Sequence, residues 1–462
     1  MKFHRFELLN GLDYHAEGRR LAEKSAQPPL HRRLASALYL VTMFAWLLLA
    51  PGAWAQDHGA AARPRVGVIN FDAYFRGSRF AELLSPKQFN YRLPFYASSS
   101  GKTPWEPGGD TQETVDMEIL YAAKGGIDYF IYAWYDNWKL PDGFPYRLMN
   151  RSRELYHQSA EKDKMNFCLH ITPSLEKDPR VVKLFIHEMK DPKYETVMGG
   201  RPILYFWPLD RNGFQQYYGG SWEAVRESLE TNLIEPAMKA GLPRPYLVVF
   251  SQEDDKEDRH YIDDLGFDAV SQYATFAGGT YKELTQRTER LWSQHKKIGK
   301  VIPHVVTGWD PSPHEHDPSY PFFKGYIVDY AMPDEISDHL KHALNWVKAN
   351  RSTAEANTVI LYAWNEFTEG GWLTPTYSEG NSRLDAIAKV LRADGASPPE
   401  AGTQPRRQQR PATGTQPSGA NSPRPSTGNS PSPSTRNSAG SSARNNAASP
   451  HASILSTVQH GD

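Results

Sequence analysis

Glu366 and Glu369 stand three residues apart in the segment Tyr362-Ala-Trp-Asn-Glu-Phe-Thr-Glu-Gly-Gly371. If the chain turns there, both carboxylates face one cavity, because residues three apart share a side of a helical turn. Two carboxyl groups flanking one bond are the machinery of glycoside cleavage: one protonates the leaving oxygen and the other acts as base or nucleophile. Glu369, beside two glycines and aromatic rings, is the better placed of the two to hold a proton and serve as the acid. An E-x-x-E pair also occurs on plain surface loops, so its meaning depends on where the fold puts it.

Three other groupings carry side chains of reactive type. Glu253-Asp254-Asp255 has the composition of a divalent-metal site, as a nucleotide-sugar glycosyltransferase would use, and equally that of a turn capping the next helix. Asp310, His314, His316 and Asp317 offer zinc-ligand types in a Pro-rich loop, or a loop surface. Cys168 is the single cysteine; in an apolar run it reads as a small core residue rather than a nucleophile, and it excludes an intramolecular disulfide. No metal and no cofactor is expected.

The elements that would position these groups follow a rhythm. Strands are expected over Val66–Tyr74, Ile127–Tyr135, Asn166–Pro173, Pro202–Pro208, Tyr246–Gln252, Ala269–Phe276, Lys300–Gly308 and Thr358–Trp364. Each is a near-continuous apolar run, as strands buried on both faces require. Helical spacers fall between them, for example Glu113–Gly125, Met149–Lys162, Trp222–Ala240, Tyr281–Ile298 and Ile336–Asn350. Eight strands alternating with helices predict an α/β fold, a single-domain (β/α)8 TIM barrel. A doubly wound open sheet competes, but no Gly-rich phosphate loop follows the first strand.

In such a barrel the active site lies at the C-terminal strand ends. Those ends carry Asp72 and Tyr74, then Trp134-Tyr135-Asp136-Asn137, His170 and Thr172, Trp207 and Asp210, Gln252 and Glu253, Gln272 and Tyr273, Trp309-Asp310, and finally Trp364-Asn365-Glu366 through Glu369 to Trp372. Rings for stacking, with amides and carboxylates for hydroxyls, are what a sugar cleft needs. The candidate substrate contacts are Tyr74, Trp134, Tyr135, His170, Gln272, Tyr273, Trp309, Asp310, Trp364, Asn365 and Trp372. For Trp309 and Asp310, packing and capping are the competing roles, and His170 points either into the barrel or toward the cleft.

The chain of 462 residues balances 52 Lys+Arg against 53 Asp+Glu, which gives no electrostatic reason to expect nucleic acid or an anionic membrane as partner. Aromatic residues make up 12%, with 12 Trp and 24 Tyr, fitting glycan contact or a large aromatic core. Arg32-Arg33, the apolar run Leu34 to Ala50 and the stretch to Ala55 read as a secretory signal, with residues 1–55 removed after a long n-region that suggests a start codon placed too far upstream. A retained N-terminal membrane anchor is the alternative. Residues 56–65 read as a linker, 66–392 as the barrel, and 393–462 as a disordered Pro/Ser/Thr-rich tail. A secreted or periplasmic monomer acting on an oligosaccharide or polysaccharide is expected, with a non-catalytic glycan-binding protein as the competing class.

The segment around Glu366 and Glu369 resembles the N-E-W-x-E-G signature of glycoside hydrolase family 99 and family 99-like domains, which include endo-α-mannosidases and bacterial polysaccharide-locus proteins. Gly126-Ile-Asp-Tyr-Phe-Ile-Tyr-Ala-Trp-Tyr135 is similar to the family's G-I-D-F-F-x-F-x-W-Y stretch, Gly308-Trp309-Asp310 to its G-W-D, and Val66–Phe75 to its opening strand. The resemblance covers residues 66 to 392. It implies a (β/α)8 hydrolase acting on α-linked glycans with retention. Carried over, Glu366 is the base toward the sugar's own 2-hydroxyl, giving an epoxide-like intermediate, and Glu369 is the general acid/base. Phe367 stands where the family has Trp, Ala133 where Asp is common, and Trp372-Leu-Thr-Pro-Thr376 where it reads T-Q-I-E-P. Some family 99-like domains are classed as transferases, which keeps that alternative open.

Overall fold

Eight short runs rich in Val, Ile, Leu, Tyr and Phe form the inner layer of the protein. The computed structural model describes residues 63–98, 108–135, 148–317, 320 and 326–395. The expected signal segment, most of the tail, and Asp136 and Asn137 lie outside these residues. The strands are β1 (Arg65–Asn70), β2 (Tyr129–Ala133), β3 (Asn166–Ile171), β4 (Arg201–Phe206), β5 (Tyr246–Phe250), β6 (Ala269–Ser271), β7 (Lys300–Val301 and His304–Val306) and β8 (Thr358–Tyr362). All eight expected strands are present, each ending before its expected limit, because the residues beyond turn out of the sheet to build the mouth.

β7 closes the sheet. Its first half pairs with β6 and its second half with β8. The break falls at Ile302-Pro303, where proline has no N–H to donate. Across the break, Ile302 N donates to Val270 O at 3.1 Å and Ile360 N donates to Pro303 O at 3.0 Å. Every neighbouring pair from β1 round to β8, and β8 back to β1, is parallel. The result is a closed (β/α)8 barrel.

The two-residue alternation of a strand decides what faces the barrel axis. Tyr129 reaches across the interior, its hydroxyl 3.1 Å from that of Tyr205 on β4 and 2.8 Å from Thr358 Oγ1 on β8. The residues between point outward to the helices. Tyr132 packs on Tyr156 at 5.9 Å and Trp134 on Phe185 at 5.4 Å between ring centroids. Cys168 is fully buried, and burial pushes its thiol well up, which suits a core residue and not a nucleophile.

The outer layer includes α1 (Gln112–Lys124), α2 (Arg151–Gln158), α3 (Pro179–Met189), α4 (Trp222–Leu229), α5 (Tyr281–His295), α6 (Pro333–Ala349) and α7 (Ser382–Ala393). Their starts follow from local chemistry. Thr280 and Glu283 form a reciprocal capping box at α5, and Asp178 caps α3 ahead of Pro179. The helix expected over Trp222–Ala240 is α4 followed by a wide turn at Glu230–Ile234 and a last segment Glu235–Lys239. Helices α3 and α7 fill the spacers after β3 and β8, for which no helix is delimited from sequence. Among the described residues no helix is long and apolar enough to cross a membrane.

Candidate functional site

The β8 exit is pinned before the glutamates begin. Trp364 N donates to Ile69 O at 2.7 Å, and Asn365 Oδ1 accepts from Phe71 N at 2.7 Å, so the chain leaving β8 is fastened to the end of β1. Asn365–Glu366 then pairs antiparallel with Gly371–Trp372. Glu369 N donates to Glu366 O at 3.1 Å, which closes the turn and holds the two carboxylates in one tight hairpin.

Two sequence motifs meet here through their backbones. Asp310 N donates to Glu369 O at 2.6 Å. A Cβ on Gly370, whose φ is +85°, would lie closer than 3.0 Å to Asp310 N, and a Cβ on Gly308 closer than 3.0 Å to Gly370 O. The Gly308-Trp309-Asp310 and Glu369-Gly370-Gly371 segments are thus two sides of one contact, possible only with glycine at both places.

Both carboxyl groups are buried: Glu366 is 0% and Glu369 3% exposed. Each is met by phenols. Tyr273 OH donates to Glu366 Oε1 at 2.5 Å. Glu369 accepts from Tyr320 OH on one oxygen and from Tyr362 OH on the other. Burial, reinforced by the charge of Glu366, holds the Tyr273, Tyr362 and Tyr135 hydroxyls well above the usual phenol range, so all three stay protonated and able to donate. Tyr74 OH accepts from Thr368 N at 3.1 Å, and its ring meets Phe367 edge-on at 4.9 Å, fixing the turn between the two glutamates.

Six of the expected contacts gather around this pair: Tyr74, Tyr135, His170, Tyr273, Trp309 and Asp310; Gln272 sits beside Tyr273 and reaches Glu253. His170 faces the barrel interior, its ring 5.0 Å from Trp207 and 5.7 Å from Tyr273. Gln272 Nε2 donates to Glu253 Oε1 at 3.2 Å, and its buried amide oxygen has no hydrogen-bond partner among the described residues. Trp309 is 1% exposed and meets Phe276 at 4.7 Å and Tyr362 at 6.0 Å.

Two expected contacts point elsewhere. Trp134 lies under the Arg153 guanidinium at 4.6 Å and against α3, on the outer face that alternation assigns it next to inward Tyr135. Trp364 donates its indole N–H to Glu118 Oε1 on α1 at 3.0 Å and packs on Phe130, again in the helix layer. Asn365 is occupied in tying β8 to β1, with Nδ2 3.3 Å from Asn70 Oδ1. Trp372, on the returning strand of the hairpin, has the Arg383 guanidinium 3.9 Å from its ring centroid.

Arg92 is the residue that sequence reasoning missed most completely. Fully buried, it pairs with the Asp310 carboxylate and donates to the carbonyls of Asp310 at 2.8 Å and Phe367 at 3.0 Å. It clamps the β7 and β8 exits together, and no spacing in Tyr91-Arg92-Leu93-Pro94 announces it. Glu118 did leave a signal: it interrupts the apolar face of α1 formed by Val115, Ile119 and Ala122. Burial pushes its carboxyl up to about 8.

The grouped acids are engaged in structural work. Asp254 caps the helix that follows, accepting from Lys256 N at 3.0 Å and Glu257 N at 3.3 Å. Glu253 pairs with Arg287. Asp317 pairs with Arg79, and the His314 ring stacks on Tyr320 at 3.8 Å. Among the described residues, no group of three or more His, Cys, Asp or Glu has the geometry to hold a metal ion.

The chain is similar to several solved structures. A GH99 endo-alpha-mannosidase from Bacteroides thetaiotaomicron shares 13% identity over 72% of this chain and 98% of its own, with a TM-score of 0.46. A glycoside hydrolase-like protein shares 11% over 72% and 94%, at 0.45. An exo-beta-1,4-mannosidase from Opitutaceae bacterium strain TAV5 shares 10% over 73% and 60%, at 0.40. No curated protein sequence matches the chain. The model of the family described as glycosyltransferase WbsX matches residues 110–387, a span running from the start of α1 into α7 and including both glutamates, and the chain belongs to that family.

Proposed function

We propose that this chain cleaves an α-linked glycan, mannan-like or a bacterial polysaccharide, with retention at the anomeric carbon. The observation that carries the reading is the hairpin at the β8 exit, which presents two buried carboxyl groups three residues apart and surrounds them with phenol donors. Glu366 removes the proton of the sugar's 2-hydroxyl while that oxygen attacks C1, and Glu369 protonates the departing oxygen. Water then attacks C1 of the epoxide-like intermediate. Glu369 takes the water's proton, the C1–O2 bond breaks, and O2 recovers its proton from Glu366. The phenols supply preorganised dipoles where charge changes hands, and His170 and Gln272 are the polar groups this reading assigns to the sugar's hydroxyls. No cofactor enters the reaction.

The description of the family favours a second reading, in which a sugar hydroxyl replaces water or a nucleotide sugar is the donor. A diphosphate leaving group calls for cations or a metal, whereas in the Glu253-Asp254-Asp255 turn Asp254 caps the next helix and Glu253 pairs with Arg287. Thermal-shift measurement with α-mannosides, other α-glycans, and nucleotide sugars with a divalent metal separates these readings. Stabilisation by α-glycans is expected; stabilisation only by nucleotide sugars with metal overturns the hydrolase assignment.

A further inference from the structure

Seven large hydrophobic side chains are exposed among the described residues, and five of them lie in the segment 326–332 or at Tyr377. Two of these flank Tyr91: Tyr330, 42% exposed, whose ring meets that of Tyr91, and Tyr377, 65% exposed, whose neighbour Ser378 bonds the Tyr91 carbonyl. Exposed rings gathered at one end of a fold offer a surface for a ligand with an apolar face. Tyr91 belongs to the β1–α1 connection, Tyr330 to β7–α6, and Tyr377 to β8–α7. All three connections leave the C-terminal strand ends, so the patch shares the barrel face that carries Glu366 and Glu369.

The rings are held in place rather than loose. Tyr377 OH donates to Ala97 O at 2.6 Å, and its backbone N donates to Leu93 O at 3.1 Å. The neighbouring Ser378 Oγ donates to Tyr91 O at 2.5 Å. The Tyr330 ring lies 6.4 Å from Tyr91 and 6.4 Å from Trp372, with the Arg383 guanidinium 4.9 Å from its centroid. Trp372 in turn pairs with the hairpin that holds the glutamates. The polar tip of Tyr377 is therefore satisfied by the protein and its ring is left to solvent, already ordered, so a ligand stacking there loses little conformational entropy. Uncharged rings with flat apolar faces suit the C–H face of a neutral pyranose.

We propose that Tyr91, Tyr330 and Tyr377 form a glycan platform that binds sugar units of the same substrate chain away from the bond being cleaved. This rests on the glycan reading of the Glu366–Glu369 site, and it makes the natural ligand an oligomer or polymer rather than a single sugar. The test is electrophoresis of the full chain through native gels containing yeast α-mannan, dextran or pullulan, with release of reducing sugar from the same polysaccharide measured in parallel. Wild type and Glu366→Gln are expected to be retarded in at least one gel. The double variant Tyr330→Ala/Tyr377→Ala is expected to lose at least tenfold in apparent affinity, and Tyr330→Phe/Tyr377→Phe, which keeps the rings, to recover most of it. Equal retardation of the alanine variant and wild type overturns the platform even where Glu366-dependent cleavage stands. Retardation lost in the alanine variant with no cleavage by wild type supports the platform and removes the hydrolase reading. Absence of retardation in every gel overturns the platform. So does a wild-type dimer that the alanine changes convert to monomer, since the patch would then be an interface between copies.

Discussion

The rings of Tyr273 and Tyr362 lie 5.5 Å apart at 63°, and their hydroxyls end on different glutamates, Glu366 and Glu369 respectively. Tyr273 follows β6 and Tyr362 ends β8, so two walls of the barrel reach the pair through one edge-to-face contact. The carboxyl groups are fixed relative to each other by their phenols as well as by the hairpin. Positioning of this kind is what the proposed reaction asks of its two carboxyl groups.

Removing one phenol hydroxyl without its ring tests this. Tyr273→Phe keeps the ring contacts with Trp207, Phe250 and Tyr362 and removes the hydroxyl that donates to Glu366. A hydrogen bond to a charged group contributes about 1.5–3 kcal/mol, or about 10- to 100-fold in rate. Turnover of an α-glycan should fall within that range with thermal stability within a few degrees of wild type. Unchanged kcat would place the hydroxyl outside the reaction.

The contact between Gly370 and Asp310 predicts a large loss of stability from one added methyl group. Gly370→Ala brings a Cβ into the Asp310 backbone at positive φ, and should destabilise by roughly 3 kcal/mol or more from overpacking and backbone strain together. Gly380→Ala is the control: φ is +57° but nothing lies within 4 Å of its Cβ, so only the left-handed strain of about 1–2 kcal/mol applies. Equal effects in chemical unfolding would remove the steric account.

Three buried histidines surround one edge of α5 and α6. Burial lowers His295 to about 4 and His339 to about 3, and takes His304 well down. Their folded pKa values lie below the unfolded value, so the unfolded chain binds more protons and stability falls as pH drops below about 6.5. His339, stacked on Trp292 at 5.7 Å, can be replaced by phenylalanine with the stacking kept. The stability difference between His339→Phe and wild type should grow in the variant's favour from pH 6.5 toward pH 4. A difference that does not vary with pH would contradict the assignment.

Glu118 carries the opposite sign. Its folded pKa of about 8 lies above the ordinary carboxylate value, so the protein loses stability as pH rises from about 4.5 toward 8. Glu118→Gln keeps an acceptor for the Trp364 indole N–H and removes the ionisation. The variant should gain relative stability between pH 5 and pH 8.5, by a few kcal/mol at most, on the order set by about 1.4 kcal/mol per pKa unit. Urea unfolding at the two pH values reads this directly.

Much of the barrel was legible because parallel strands covered on both sides are apolar runs, and those runs stand out between helical spacers. The hairpin was legible as a motif, since the glutamates and glycines are adjacent in sequence. What the sequence hid was direction and distance. Trp134 and Tyr135 were read together as strand-exit residues, yet alternation sends one to α3 and the other to the glutamates. Arg92 could not be placed from sequence because Asp310 and Phe367 are more than 200 residues away and two of its four acceptors are backbone carbonyls. Tyr320 reaches Glu369 from the connection after β7, where no spacing predicts a donor.

The most direct test of the central claim is turnover of an α-linked oligosaccharide by wild type, Glu366→Gln and Glu369→Gln, with the anomeric configuration of the first product followed by NMR. Gln preserves the shape at both positions, so thermal stability should change little. The account predicts retention in wild type and a loss of about 100-fold or more in each variant, as for removal of a general acid or base. Turnover that survives in either variant, or a product of inverted configuration, would contradict it.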